Sequence, residues 1–489
     1  MTAFLHQFPF APIDAVLVVP GIAALLLALI PQYKLGSRVN MLASGLTFLC
    51  ALTLLIERPD PAVSFLFVDD LNVVFIVLGT FVGFTTSIFS ASYIGHEIEI
   101  GRLKPGYIRF YHGMYQALSF SMNLGLTANN VGLMWVAVEL ATLTTVLMVG
   151  LYRTQAALEA AWKYFILGSV GIALALFGTI LIYMAARPVI GEGHDAMVWT
   201  TLIANAAAFS PELLNVAFVF LMLGYGTKVG LAPLHAWLPD AHAEGPTPIS
   251  AVLSGLLLNV ALYALLRFKM LLAANPFAVA PGPLLVTLGL VSLIFAAFML
   301  YLRRDIKRLF AYSSIEHMGL IAFAFGMGGP LANFAGLLHM TMHSLTKSAI
   351  FFAVGQVAQV KGTQKIADIR GLTESHPTLG WSLVVGVAAI AGLPPMGIFT
   401  SEFLLVSSTF AREPLLAIPL VVGLLLAFGA LIWRLTGVAF GKPSSSVVDA
   451  GRRPSMLPLI IHLVLVLIAG IYLPGPLVAW FQNVARMLG

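Results

Sequence analysis

The sequence predicts an all-α polytopic membrane protein of about fourteen transmembrane helices, and three observations lead there. Of its 489 residues 59% are hydrophobic and 10% are charged, less than half the roughly 25% charge of an ordinary soluble domain. Apolar stretches of the ~17–25 residues that a helix needs to cross a bilayer follow one another along the whole chain. No connection between them is long enough to fold as a soluble domain. So few charges cannot cover a water-soluble surface, which excludes a soluble enzyme, a disordered chain and a nucleic-acid binder. Cys50 is the single cysteine, so a disulfide framework, a Cys-ligated zinc site and an iron–sulfur cluster are out of reach within this chain. Neither a Rossmann fingerprint nor a P-loop is present, and the chain is expected to carry no cofactor of its own.

The spans fall in order. The first, near 15–31, reads as a retained helix rather than a cleaved signal, because the residues before it carry no positive charge. With 39–56 and 71–93 it forms an N-terminal three-helix segment over 1–110. Spans near 111–128, 131–151, 161–186, 212–233 and 248–270 fill 111–270. Those near 283–302, 309–327, 331–359, 379–411 and 415–440 fill 271–440, and 455–480 lies in a C-terminal segment over 441–489.

Two spans are interrupted. Gly230-Leu231-Ala232-Pro233 breaks the seventh, and Gly392-Leu393-Pro394-Pro395 breaks the twelfth 162 residues later. Ala264-Leu265-Leu266-Arg267 in the eighth span is echoed by Ala430-Leu431-Ile432-Trp433-Arg434 in the thirteenth, at an offset of 167. Two matches at nearly one spacing indicate a five-helix repeat, spans 4–8 and 9–13. An odd number of helices makes the copies inverted in the membrane. Paired, Gly/Pro-interrupted helices in inverted repeats point to a transport site near the midplane; the plainer alternative is a pair of ordinary proline kinks.

The basic residues sort by face. One set of alternate connections carries sixteen Lys and Arg, from Lys34 and Arg38 through Lys307 and Lys361 to Arg452 and Arg453. The other carries six: Arg58, Arg187, Arg267, Lys269, Arg412 and Arg486. The positive-inside rule then puts both termini on the outer side. Lys163, Lys228, Lys347 and Arg434 belong to no loop.

A charge at the bilayer centre costs ~2.5 kcal/mol or more, so each one left there needs a partner, water or a task. Glu139 lies mid-span with no other charge within ten residues. A buried carboxyl gains proton affinity from desolvation and loses it beside a cation, so small movements capture or release a proton; the bland reading is a pair that locks two helices. Lys228 precedes the break in the seventh span by one turn, where unwound backbone and water would face it. Lys163 lies about one turn into the sixth span and could instead snorkel to the interface. His339, His343 and Lys347 are four residues apart and share one helical face. Lys347 on that stripe argues against a divalent cation, and a proton relay suits the stripe better. His317, beside Glu316, either extends the relay or caps a helix. Glu402, beyond the Pro394-Pro395 break, is the acidic end of the series.

At these residues the chain resembles a known family. Lys228 through Pro233, His235, Trp237-Leu238-Pro239-Asp240 and Gly245-Pro246-Thr247-Pro248 are similar to the signature of the antiporter-like, proton-conducting membrane subunits of respiratory complex I. Asp305 through Gly319, His343 through Lys347 and Gly392 through Gly397 are similar to further motifs of that family. Arg153-Thr154-Gln155, the run from Glu159 to Gly168 and the lack of a long lateral helix look most like the component F type of hydrogenase-4, in membrane-bound group 4 nickel–iron hydrogenases. The resemblance implies fourteen helices with broken helices 7 and 12, a Glu139–Lys228 pair, Lys347 at the centre of a second half-channel, and Glu402 at its end. It implies other membrane subunits as partners, a peripheral redox arm on the cytoplasmic side, and iron–sulfur clusters and a nickel–iron centre on those partners. One departure stands out. Where many relatives place a lysine or histidine in the eighth span, this chain has Asn259, which orients water but cannot titrate, so the central relay is interrupted, bridged by water, or supplied by His235. The expected function is thus a non-catalytic, proton-translocating subunit of a redox-driven complex in a bacterial inner membrane. The alternatives are a subunit of a multi-subunit Na+/H+ antiporter and the membrane subunit of an inorganic-carbon uptake complex.

Overall fold

A computed structural model describes residues 12–56, 65–104, 106–443 and 455–489. The stretch ahead of residue 12 and the topology markers Arg58, Arg452 and Arg453 lie outside the described residues. The chain is nearly all helix, in the order α1 Pro12–Leu29, α2 Tyr33–Thr53, α3 Asp70–Glu99, α4 Tyr107–Thr127, α5 Val131–Val149, α6 Gln155–Ile190, α7 Trp199–Asn205 and α8 Pro211–Val229. It continues with α9 Leu238–Glu244, α10 Thr247–Val252, α11 Leu258–Ala273, α12 Gly282–Leu302, α13 Ile306–Met327 and α14 Gly329–Lys361. Then come α15 Leu372–Ser375, α16 Pro377–Ile390, α17 Gly397–Arg412, α18 Pro414–Ala439, α19 Leu457–Ile471 and α20 Gly475–Met487. Among the described residues no strand forms, only isolated bridges such as Asn130 to Val198 and Asp305 to Lys365. Nine helices of the described residues are long and apolar enough to cross a membrane, or ten if α19 and α20, bent by 82°, make one span. The all-α, multi-pass membrane class is borne out.

Both interruptions are present. Helix α8 stops at Val229, and Gly230 takes φ +80°; α16 stops at Ile390, and Gly392 takes φ +70°. Such left-handed backbone is open to glycine at little cost and ends a helix. Backbone freed inside a membrane must find a partner within the protein. The Ala232 N–H finds it in Ser292 Oγ at 2.8 Å.

The chain divides into two units. The first comprises 1–87, 101–229 and 257–281. Its helix starts are set by side chains: Asn130 Oδ1 accepts from the backbone N–H of Gly132 and Leu133, and Thr154 Oγ1 accepts from Ala157, as N-caps do. Helices α6 and α8 run backbone to backbone, since a Cβ on Gly224 would stand 2.6 Å from the Gly171 carbonyl oxygen. Small residues permit this approach, which is how membrane helices associate without a hydrophobic drive between them.

The same unit holds a buried ion pair. Arg267 on α11 grips Asp69 with two 2.7 Å hydrogen bonds, Nη1 to Oδ2 and Nη2 to Oδ1. Its guanidinium carbon lies 5.2, 5.2 and 4.9 Å from the ring centres of Phe67, Trp199 and Tyr263. Asp69 also caps α3, accepting from the N–H of Leu71 and Asn72. Arg267 and Lys269 therefore lie inside a helix and buried, not in a loop as their charge suggested. Lys307 and Lys361, counted in the other set of loops, are buried too. Hydropathy reads a charge near a span end as the end of the span, whereas these side chains turn inward to partners.

The second unit comprises 88–100, 230–256 and 282–489. Its apolar core gathers Leu293, Leu320, Phe323, Leu405 and Leu420 from α12, α13, α17 and α18. Asp305 caps α13 by accepting from the Arg308 N–H. Between α10 and α11 the helix widens to a π turn over Leu253–Leu257, where Ser254 Oγ meets Ser314 Oγ at 2.7 Å. Such bulges collect at functional sites.

Candidate functional site

Each unit holds its own cluster of buried ionisable groups. In the first, Asn130 starts α5 so that Glu139 lies a little over two turns in. Lys228 sits in the last turn of α8 with its side chain 2% exposed, and Nζ lies 3.5 Å from Glu139 Oε2. Nζ donates to Thr142 Oγ1 at 2.6 Å and lies 5.9 Å from the centre of the Tyr164 ring. Gly168 on α6 leaves room for it, since a Cβ there would stand 2.9 Å from Nζ. At 3.5 Å the pair attracts but is longer than a close charge-assisted bond. Thr142 holds the ammonium while Glu139, one helical turn away, stays within reach of a small displacement.

The other first-unit candidates stand apart. Lys163 points outward and pairs with Glu159 one turn back at 2.7 Å, with the side chains 48% and 61% exposed. A surface pair of this kind is worth little, and it matches the snorkelling alternative. Asn259 is buried on α11.

The second cluster is built by three helices. His317 on α13 and His339 on α14 meet at 2.9 Å, Nδ1 to Nε2, with ring centres 5.1 Å apart and stacked. His339 Nδ1 lies 2.9 Å from Ser401 Oγ on α17, and the Ser401 hydroxyl donates to the Ile398 carbonyl at 2.8 Å. One assignment of the protons satisfies these contacts together. Ser401 has one proton and spends it on Ile398, so it accepts from His339 Nδ1–H. A neutral His339 then offers the lone pair of Nε2, which accepts from His317 Nδ1–H. His317 Nε2 is left facing Glu316 Oε2 at 3.2 Å. The two atoms are close without making a hydrogen bond to each other. The line is polar and buried.

Glu402 joins the same cluster: a carboxylate oxygen and one nitrogen each of His317 and His339 lie within 4.8 Å of one another. Its carboxylate occupies the space that a Cβ on Gly392 would take, with Cδ 3.0 Å from that position. The break in the second unit thus seats an acid. Gly392→Ala should cost ~1–2 kcal/mol for left-handed backbone alone and also evict the carboxylate. Thermal unfolding in detergent checks this, and the penalty should shrink in a Glu402→Ala background.

His343 places its ring centre 5.4 Å from that of His317, with neither nitrogen hydrogen-bonded among the described residues. Lys347 lies eight residues, ~12 Å of helix, beyond His339. Its Nζ donates to the Phe310 carbonyl at 2.6 Å and lies 6.0 Å from the Phe351 ring centre. His235 follows the α8 break, packed on Phe295 at 4.8 Å and Tyr312 at 6.0 Å. His317, His339, His343 and Glu402 are brought together; His235 is not joined to them.

Several residues had escaped the sequence reading. Glu316 is as buried as His317, and Ser401 orients His339. His242 is fully buried and stacked flat on Phe351 at 4.8 Å. Lys307 donates to the Ala243 and Gly245 carbonyls and so holds the end of α9. Only the run of polar residues inside the Trp237–Ser250 motif hinted at His242; nothing local marked Ser401.

The family model described as NADH:quinone oxidoreductase/Mrp antiporter, TM, matches residues 128–427, more than half of the chain. The chain belongs to this family. Every ionisable group described above in the two clusters falls within the matched region of the NADH:quinone oxidoreductase/Mrp antiporter membrane subunits. A hydrogenase-4 component F homolog from Methylacidiphilum infernorum (isolate V4) is 64% identical over 474 residues, 97% of this chain and 99% of the relative. NADH-quinone oxidoreductase subunit N from Desulforudis audaxviator is 28% identical over 379 residues, 75% of this chain and 71% of the relative. Among solved structures, a chain of the archaeal membrane-bound sulfane sulfur reductase superposes with a TM-score of 0.86 at 22% identity, covering 97% of each chain. A chain of respiratory complex I from Thermus thermophilus gives 0.77 at 24% identity, covering 95% of this chain and 98% of that one. These structural likenesses bear on the fold, and they extend it to nearly the full length.

Proposed function

We propose that this chain is the proton-translocating membrane subunit of a redox-driven complex of the hydrogenase-4 type, itself without catalytic residues. The observation that carries the reading is the pair of buried Lys228 and partly buried Glu139, held at 3.5 Å with Thr142 as the lysine's closer partner. It is a charge pair poised between two arrangements inside a membrane. Close identity to a hydrogenase-4 component F homolog supports the assignment to that type of complex.

In this reading a conformational change in a partner subunit alters the Glu139–Lys228 distance. Lys228 then drives a proton onward, and the groups of the second unit, His235, Lys347, His343, His317, His339 and Glu402, carry it to the far side, with Asn259 ordering water where no titrating group stands. Lys163 would serve at the interface. Moving one charge against 100 mV costs ~2.3 kcal/mol, which one redox step can supply. The clusters and any nickel–iron centre reside on partners, namely other membrane subunits and a peripheral arm on the cytoplasmic side. The chain would span a bacterial inner membrane fourteen times, as two inverted five-helix half-channels over 111–270 and 271–440, flanked by 1–110 and 441–489, with both termini outside.

The test uses the whole complex in proteoliposomes, with acidification read by a pH-sensitive dye. Lys228→Ala should reduce proton translocation roughly 100-fold, the contribution of a positioned proton-transfer group, while the complex stays assembled. Undiminished translocation sinks the reading. Translocation that follows sodium rather than protons would instead favour an antiporter subunit.

A further inference from the structure

The stripe of His339, His343 and Lys347 speaks against a divalent ion, because a lysine stands next in line. The folded chain selects different residues. His339 turns away from His343 toward His317 on α13 and Glu402 on α17, while Lys347 lies two turns along α14. We infer that His317, His339 and Glu402 form a binding site for a divalent transition ion of the zinc class.

Three features build the site. The donors are two imidazoles and a carboxylate, the set that suits Zn2+, and their ligating atoms already lie within 4.8 Å of one another. The helices are fixed by packing, so the atoms converge without a loop having to fold. Most telling, His339 has a partner for its second nitrogen, the arrangement that orients metal-bound histidines, and His317 has a carboxylate close to its own. His339 Nδ1 is held by Ser401 Oγ at 2.9 Å, so Nε2 already presents its lone pair. His317 Nε2 faces Glu316 Oε2 at 3.2 Å. When His317 ligates through Nδ1, its proton sits on Nε2, from which a small turn of the ring reaches the Glu316 carboxylate and gives a carboxylate–histidine–metal triad. A water completes four-coordination.

The protons balance. A neutral His317 holds one proton on Nδ1 before binding and one on Nε2 afterwards, and a neutral His339 keeps its own on Nδ1. A proton is therefore released to water for each one that Glu402 or a charged imidazole holds beforehand. Affinity should rise about tenfold per pH unit for each proton displaced. The site stands on geometry alone and does not depend on these groups carrying protons. If they do, the ion occupies the gap between His317 and His339 and stops transfer there.

The experiment takes the full chain, in its complex or in detergent, and titrates it with Zn2+ after chelator treatment. Bound metal is counted by elemental analysis, and the coordination shell is read by X-ray absorption. One zinc per chain with two imidazoles and further oxygen ligands is expected. Glu402→Gln and His339→Gln should abolish that stoichiometric binding, and Ser401→Ala should weaken it roughly 10–100-fold, the usual loss when a metal ligand's supporting partner is removed. His194→Gln, at a half-exposed histidine, should bind as before. The wild-type absorption spectrum needs no variant to fold: a shell without two imidazoles overturns the assignment. So does zinc that binds equally well to Glu402→Gln and His339→Gln, or the absence of bound zinc.

Discussion

Arg267→Ala is expected to lower the unfolding free energy by about 3–5 kcal/mol, the usual cost of removing one partner from a buried ion pair. Arg267 is 2% exposed and Asp69 14%, so water replaces little of what is lost. Asp69 keeps its two capping bonds to Leu71 and Asn72, but its outer lone pairs lose both guanidinium donors. The three aromatic rings around the arginine lose a packing partner as well, and truncation leaves a cavity among them. Lysine will not rescue the site, since it cannot make the two-pronged contact that Asp69 receives. Unfolding in mixed detergent micelles measures the effect. The double substitution Asp69→Asn with Arg267→Met should be milder than Arg267→Ala alone, because no charge is then left without its partner. Equal losses in both would mean that the arginine acts through packing only.

His317→Leu should have the larger effect on transport, a fall of roughly 10²- to 10⁴-fold in proton translocation. His317 touches His339, His343 and Glu316 at once. A missing Lys228 leaves Glu139 and Thr142 to order water, but no second group bridges Glu316 to His339. Leucine fills similar space without a lone pair or a proton, so the loss reads out the relay rather than the packing. Proton translocation by the complex in proteoliposomes, compared with its redox turnover, is the measurement. A variant that translocates normally removes His317 from the path.

The fold class was legible because hydropathy is a length-scale signal, and the apolar stretches repeat at membrane thickness. The two breaks were legible because Gly230 and Gly392 combine with nearby proline in ways that a helix cannot continue. Glu139 and Lys228 were legible as two lone charges, and only the family resemblance joined them across the 89 positions that separate them. What stayed hidden follows from the same physics. Arg267, Lys269, Lys307 and Lys361 sit near span ends, where a charge ordinarily marks the water, and their inward orientation depends on partners distant in sequence. Ser401 is an unremarkable serine until its hydroxyl is committed to Ile398, and only then does it set the proton on His339. Glu316 read as the neighbour of a histidine, yet it is as deeply buried as His317. The stripe at four-residue spacing identified the right helix, but the functional neighbours of His339 lie on α13 and α17, which no periodicity along α14 can reveal.

The hydrogen-bonded line from Ser401 through His339 to His317 has a consequence for timing on the proposed proton-carrying function. A column of water has no fixed direction, because each molecule can turn. Three anchored side chains in series cannot turn so freely. Once a proton has run through them, every hydrogen that pointed one way points the other, and a second proton meets a line facing backwards. The stacked rings of His317 and His339 must then reorient, or exchange protons with a neighbour such as His343, before the line is ready. On the proposed function the cluster would thus keep a record of its last event, and its recovery would act as an escapement that sets a ceiling on how often it can fire.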